Sequence, residues 1–74
     1  MILIVGSTGM MGSGVCQRLV DQGKPVRAFV RETSDPTKVA KLSALGIPLV
    51  KGDLRDPASL KAACQGVETV IDTV

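Results

Sequence analysis

The stretch that decides the fold of this 74-residue chain is Gly6-Ser7-Thr8-Gly9-Met10-Met11-Gly12. It follows an apolar run at residues 1–5 and precedes a segment with helical periodicity. A strand, a three-glycine turn and a helix are the layout of a phosphate-binding turn. The first glycine permits the reversal, the second lets a pyrophosphate approach the backbone, and the third lets the helix lie close to the sheet. We therefore expect all seven residues to border a dinucleotide cofactor at the start of this helix.

Apolar patterning and turn residues divide the whole chain into four strands and three helices. The predicted strands are Ile2–Val5, Val26–Val30, Ile47–Val50 and Val67–Val74, and the predicted helices cover about Met11–Gln22, Pro36–Leu45 and Pro57–Gln65. Asp35 or Ser34 caps the second helix, and Asp56 caps the third. The strict βαβαβαβ alternation predicts parallel strands joined by right-handed crossovers. The predicted fold is an α/β half of a doubly wound Rossmann sheet with strand order 3-2-1-4.

The first predicted helix has an apolar stripe that should pack against the sheet. Met11, Val15 and Leu19 recur at helical spacing, with Cys16 and Val20 beside them. Met10 and Met11 also suggest a pair facing the cofactor. For Met11, apolar filling beneath the glycine turn is at least as good an interpretation.

Composition excludes several classes of function. The net charge of +2 and the single aromatic residue, Phe29, argue against nucleic-acid binding and against a charged membrane surface. Cys16 and Cys64 have no histidine with which to form a metal site, and free thiols in a reducing cytoplasm explain them better than a disulfide. The first apolar run stops at Gly6, so we expect no signal peptide, and no run reaches transmembrane length.

The end of the second predicted strand is where Rossmann sites read the adenosine ribose. Arg31 occupies this position, nineteen residues after Gly12. An acid there would accept hydrogen bonds from the ribose hydroxyls of NAD, whereas a guanidinium suits the 2′-phosphate of NADP. Glu32 should diverge from Arg31 because side chains alternate along a strand, and Thr33 adds a hydroxyl. The sequence therefore favours NADP, with NAD possible and a solvated arginine as the alternative.

The loop after the third strand, Gly52-Asp53-Leu54, should border the adenine. Asp53 could accept a hydrogen bond from the exocyclic amine, and Leu54 could cover a ring face. A turn aspartate that bonds its own backbone is an equally good interpretation of Asp53.

Three motifs together resemble one known family. The glycine spacing G-x-x-G-x-x-G resembles the extended and atypical short-chain dehydrogenases/reductases. With V-R-A-F-V-R and V-K-G-D-L-R-D-P, it is similar to the NmrA-like, isoflavone-reductase-like branch, although Ser7 replaces a common alanine. The resemblance implies an NAD(P)-binding Rossmann protein. It covers all 74 residues, but only the first part of a typical member, without its substrate-binding part.

No residue of the chain can be assigned a catalytic role. The resemblance implies acid/base chemistry by a Tyr-x-x-x-Lys pair or a lone lysine beyond the fourth strand, and the chain has neither tyrosine nor histidine. Three interpretations remain open. The chain is the cofactor-binding part of an NADPH-dependent reductase, the same part of a non-catalytic regulator that senses NADP(H), or a stand-alone half-domain without activity of its own.

The fourth predicted strand suggests self-association. Residues 67–74 are rich in valine, isoleucine and threonine and contain no proline or lysine that would discourage edge pairing. We expect a homodimer or larger assembly through this edge.

Overall fold

The structure, a computed structural model, describes residues 1–73. Its elements, in chain order, are β1 (Ile2–Val5), α1 (Met10–Asp21), β2 (Val26–Val30), α2 (Pro36–Ala44), β3 (Leu49–Lys51), α3 (Pro57–Ala63) and β4 (Thr69–Asp72). The strands form one parallel sheet in the order β3-β2-β1-β4. The predicted α/β half-Rossmann topology is confirmed.

The two faces of the sheet carry separate apolar clusters. On one face, Ile4, Ala28 and Val30 pack with Cys16 of α1 and Leu42 of α2. The other face has a smaller cluster with α3, formed by Leu3, Val5, Phe29 and Ala63. β1 contributes to both clusters because successive side chains of a strand point to opposite faces. This central position places the end of β1, and the turn after it, between β2 and β4.

The helix ends follow the predicted local chemistry. Asp35 caps α2 by accepting the Thr37 N–H, and Asp56 caps α3 by accepting the Ala58 N–H. Each of these helices has proline at its first position. The glycines after the three helices, Gly23, Gly46 and Gly66, have φ angles of 71°, 81° and 75°. This left-handed conformation ends a helix at little cost only for glycine.

Several element boundaries differ from the prediction. β3 begins at Leu49 rather than Ile47 because Ile47 turns into the core and Pro48 has no N–H for a ladder bond. The helix α3 ends at Ala63, and β4 begins at Thr69 and ends at Asp72, so Thr73 follows the strand rather than belonging to it. Val74, the last residue of the predicted fourth strand, lies outside the described residues.

The predicted apolar stripe of α1 is confirmed except at Met11, since Val15, Leu19 and Val20 pack against the core beside Cys16. Gly12 and Cys16 are buried, whereas Met11 is 70% exposed. The prediction that Met11 packs under the glycine turn was wrong. The helix approaches the turn after β1 closely at Gly12, as the glycine motif predicted, although a residue without a side chain adds nothing to the apolar periodicity.

Cys16 and Cys64 are both free thiols. Within residues 1–73, no helix is long and apolar enough to cross a bilayer.

Candidate dinucleotide-binding site

The glycine turn begins with a conformation that requires glycine. Gly6 follows β1 directly and has a φ of 78°. Its carbonyl accepts the N–H of Gly9 at 3.1 Å, which closes the turn, and Gly9 itself is extended, with φ −73° and ψ 168°. The chain thus reverses within four residues and delivers the start of α1 to the carboxyl edge of the sheet.

The start of α1 has no side-chain cap. Gly9 occupies the N-cap position and no acidic residue lies in the first turn. The first helical bond is donated by Ser13 to the Gly9 carbonyl at 2.9 Å. The N–H groups of Met10, Met11 and Gly12 precede it, and in an α-helix such groups have no intrahelical acceptor. With the positive end of the helix dipole, these N–H groups are donors of the kind that bind an anion.

The second and third glycines differ in what surrounds them. A Cβ on Gly12 would overlap the Gly6 carbonyl oxygen and lie 2.8 Å from the Gly6 carbonyl carbon. The absence of that carbon is what lets α1 approach the turn. A Cβ on Gly9 would meet only the Gly6 oxygen at 3.3 Å, and Gly9 is exposed. The space beside Gly9 is therefore open to a ligand rather than filled by protein.

Ser7 is placed differently from the rest of the turn. Its side chain is fully buried, and its hydroxyl donates to the Phe29 carbonyl at 3.0 Å. This bond ties the turn to β2. Only the backbone of Ser7 is therefore left to face a cofactor.

Arg31 follows β2 and is exposed at the same edge of the sheet. Its N–H donates to the Ser34 hydroxyl at 3.0 Å, and the Ser34 N–H donates to the Arg31 carbonyl at 3.0 Å. These bonds close a short turn that fixes the Arg31 backbone. The Ser34 hydroxyl is the acceptor in its bond with the Arg31 N–H, so this bond does not use the proton of the hydroxyl.

Asp53 bonds the backbone of its own turn, which was one of the two interpretations of this residue. Its carboxylate accepts the Arg55 N–H at 2.9 Å and pairs with the Arg55 guanidinium, with an Nη2–Oδ2 distance of 2.9 Å. The Arg55 hydrogen bonds lower the pKa of Asp53 to about 2. The Asp53 N–H donates to the Ser59 hydroxyl at 3.1 Å. The adenine interpretation stays a prediction, and any ligand would share this carboxylate with Arg55.

Two neighbouring hollows bring several predicted site residues together. The smaller, of about 130 Å³, is bordered by Gly6, Thr8, Arg31 and Leu54. The larger cleft, of about 760 Å³, is bordered by Arg31, Asp53 and Leu54 among others. Arg31 and Leu54 line both, so the glycine turn, the predicted ribose position and the predicted adenine loop form one continuous edge.

Met10 and Met11 do not border these hollows. Met10 is 94% exposed and, like Met11, borders a different depression on the outer side of α1. Their backbone N–H groups lie at the start of α1, while their side chains do not line the hollows beside Arg31.

Thr73, just after β4, was missed by the sequence analysis. Its hydroxyl lies 2.8 Å from the Val5 carbonyl oxygen and 3.1 Å from that of Gly6. The only available signal was a threonine at the end of a predicted strand, and such a position says nothing about which carbonyl it reaches.

Comparison with known proteins decides the family. A model of the NmrA-like family matches residues 1–74. The chain belongs to the NmrA-like family.

Individual relatives of this NmrA-like chain include a synthase and an assembly factor. Eugenol synthase 2 of Clarkia breweri is 46% identical over 99% of the chain and 25% of its own length. The photosystem II assembly factor Ycf39 of Cyanophora paradoxa is 39% identical over 97% of the chain and 22% of its own length. A solved structure, AtPrR2 with NADP⁺ and (+)pinoresinol, superposes with a TM-score of 0.88 at 28% identity, covering 99% of the chain and 25% of its own. The chain thus spans about a quarter of the length of these relatives.

Proposed function

We propose that this chain binds a nicotinamide dinucleotide, with NADP(H) preferred, as the cofactor-binding part of an NADPH-dependent reductase. The observation that carries the proposal is the uncapped start of α1, which opens at the same edge of the sheet as Arg31. A positive helix end and a guanidinium on one ligand edge suit a molecule with a pyrophosphate and a separate phosphate. The AtPrR2 structure, with its NADP⁺, supports the same assignment.

Each part of the cofactor has a matching group. The N–H groups of Met10, Met11 and Gly12 suit the pyrophosphate, and Arg31 suits the 2′-phosphate. Leu54, at 41% exposure, offers an apolar surface for one face of the adenine. Bound NADPH would supply a hydride, while the described residues hold and orient its adenosine half.

The proposal is tested by titration of the chain with NADPH and with NADH. Arg31→Ala removes the charge-assisted bonds to the 2′-phosphate, which are worth about 1.5–3 kcal/mol, or roughly tenfold to a hundredfold in Kd. We expect NADPH binding to weaken by this factor and NADH binding to change little. Arg18→Ala is the matched control, because Arg18 is also an exposed arginine but lies on the outer side of α1. Equal losses for both cofactors would contradict the assignment of Arg31.

A non-catalytic role is the second candidate. The similarity to the photosystem II assembly factor Ycf39 supports it, since that relative is not named as a reductase. A protein that carries this chain and binds NADPH without oxidising it in the presence of candidate substrates favours the non-catalytic role. Turnover favours the reductase. If the chain folds but binds neither NADPH nor NADH, the result favours the third interpretation, a stand-alone half-domain without activity of its own.

We also propose that the 74-residue chain self-associates through β4. Within residues 1–73, β4 pairs with β1 alone, and Val70 on it is 51% exposed. Exposed apolar strand edges favour pairing with another strand. Val70→Lys should convert a dimer in sedimentation analysis to a monomer, whereas Val70→Thr, which keeps the strand propensity, should not. A wild-type monomer at micromolar concentration contradicts the proposal.

A further inference from the structure

Thr73 contacts the carbonyl groups of two consecutive residues at the end of β1. Its N–H donates to the Val5 carbonyl at 3.0 Å. Its hydroxyl oxygen lies 2.8 Å from the same Val5 oxygen and 3.1 Å from the Gly6 oxygen. Thr73 therefore joins β4 to the exact point at which β1 becomes the glycine turn, 67 residues earlier in the chain.

Gly12 provides the space that the Thr73 hydroxyl occupies. A Cβ on Gly12 would lie 2.8 Å from the Thr73 Oγ1, which is closer than real Cβ atoms approach. The third glycine of the motif thus accommodates this hydroxyl as well as the Gly6 carbonyl. The contact is partly buried, so water competes with it only in part.

The contact fixes the first peptide group of the turn. The Gly6 carbonyl accepts the Gly9 N–H, and it shares the single proton of the Thr73 hydroxyl with the nearer Val5 carbonyl. Since a peptide group is planar and trans, fixing the Gly6 carbonyl also fixes the Ser7 N–H on its other side. The Ser7 hydroxyl holds the next residue to β2 through the Phe29 carbonyl. Two hydroxyls, one toward each flanking strand, therefore set the position of the turn.

We propose that Thr73 is a positioning residue for the pyrophosphate of a dinucleotide, acting through Gly6 and the start of α1. The inference rests on the proposed function. It adds that the Thr73 hydroxyl holds the turn in its phosphate-binding geometry, so that loss of this group weakens ligands that place a pyrophosphate at the turn. A ligand that reaches only Arg31 and the adenine loop is unaffected.

The test compares Thr73→Ser with Thr73→Ala. Both variants lose the methyl group, and only the serine keeps the hydroxyl, so their difference isolates the hydrogen bonds. The probes are NADPH, NADH and adenosine 2′-monophosphate, which carries the 2′-phosphate but no pyrophosphate. We expect Thr73→Ala to weaken NADPH and NADH by the same factor, about three- to tenfold relative to Thr73→Ser. Binding of adenosine 2′-monophosphate should be equal in the two variants.

Amide hydrogen exchange without ligand gives a second readout. The Gly9 N–H, which donates to the Gly6 carbonyl, should exchange faster in Thr73→Ala than in Thr73→Ser. A purely structural role predicts instead that all three ligands weaken together with the folded fraction. Equal affinities of both variants for NADPH would overturn the role of Thr73 and leave the proposed function intact. Failure of the wild-type chain to bind either dinucleotide would overturn both.

Discussion

The start of α1 contrasts with the starts of α2 and α3 in the same chain. Asp35 and Asp56 each accept an N–H of their own helix, at 2.9 Å and 3.1 Å, and each precedes a proline. Gly9 offers no side chain to α1. A side-chain cap stabilises a helix by about 1 kcal/mol. Two helices of this chain thus satisfy a donor of their own first turn, whereas α1 does not, and this difference is the basis of the anion site proposed for α1.

The largest expected effect is on stability and comes from separating α1 from the glycine turn. In Gly12→Ala the new methyl group overlaps the Gly6 carbonyl oxygen, so turn and helix must separate. We expect a loss of roughly 2–3 kcal/mol in the free energy of unfolding, measured by urea denaturation. Gly14→Ala is the matched control in the same helix. Nothing lies within 4 Å of its new methyl group, and the free energy of unfolding should rise by about 0.5–1 kcal/mol. Equal effects at both glycines would contradict the close approach of α1.

Gly9→Asp gives α1 the same cap as the other two helices. The backbone at Gly9 is extended and suits a capping residue, so the chain should remain folded. The carboxylate then occupies the anion position and repels phosphate, and we expect NADPH binding to weaken by about tenfold or more. Gly9→Asn, a cap of the same shape without charge, should weaken NADPH less. Unchanged affinity in Gly9→Asp would show that the anion does not bind at this helix.

Asp35→Ala removes a cap at a helix that is not part of the proposed site. We expect the free energy of unfolding to fall by about 1 kcal/mol, while the Kd for NADPH per folded molecule stays the same. Asp35→Asn retains an acceptor for the Thr37 N–H and should lose less. A change in NADPH affinity with Asp35→Ala would mean that α2 also takes part in the site.

The smallest effect concerns Asp53, which bonds both to its own turn and to a guanidinium. Its pKa of about 2 lies below the ordinary 3.8, so the charged form is favoured in the folded chain. The contribution of the pair to stability is present above pH 4, roughly, and is lost as the pH falls through about 2. Arg55→Ala should return the pKa toward 3.8 in a carboxyl NMR titration. Both side chains are exposed, so the stability difference between wild type and Arg55→Ala should be small at neutral pH. An unshifted Asp53 in the wild type would contradict the pairing.

Local chemistry explains why most of the fold could be predicted. The glycines that end the helices and the aspartates that cap them act within a few residues, so Gly23, Gly46 and Asp56 could be assigned from the sequence, and Asp35 was one of two candidates. Topology followed from the alternation of strands and helices. The boundaries of β3 depended on Pro48 and on which side chain enters the core, and a short apolar run does not reveal this.

The site could be predicted only in part, for two physical reasons. The turn, Arg31 and the loop at Leu54 meet because parallel strands end at one edge, and this rule applies to any sequence of the class. The bonds from Ser7 to Phe29 and from Thr73 to Gly6 join residues that are 22 and 67 positions apart. They depend on strand register, and no local pattern encodes it.

The buried thiol of Cys16 has a practical consequence. It lies on the inner side of α1 with no exposed surface, and burial raises its pKa, so a thiol reagent meets neither an accessible nor an ionised sulfur. Cys64 is only half-buried and reacts first. The rate at which a thiol reagent labels Cys16 therefore measures how often α1 separates from the sheet. The proposed phosphate position lies at the start of the same helix, so we expect a bound dinucleotide to slow the labelling of Cys16, and the chain would then report its ligand through its own chemistry.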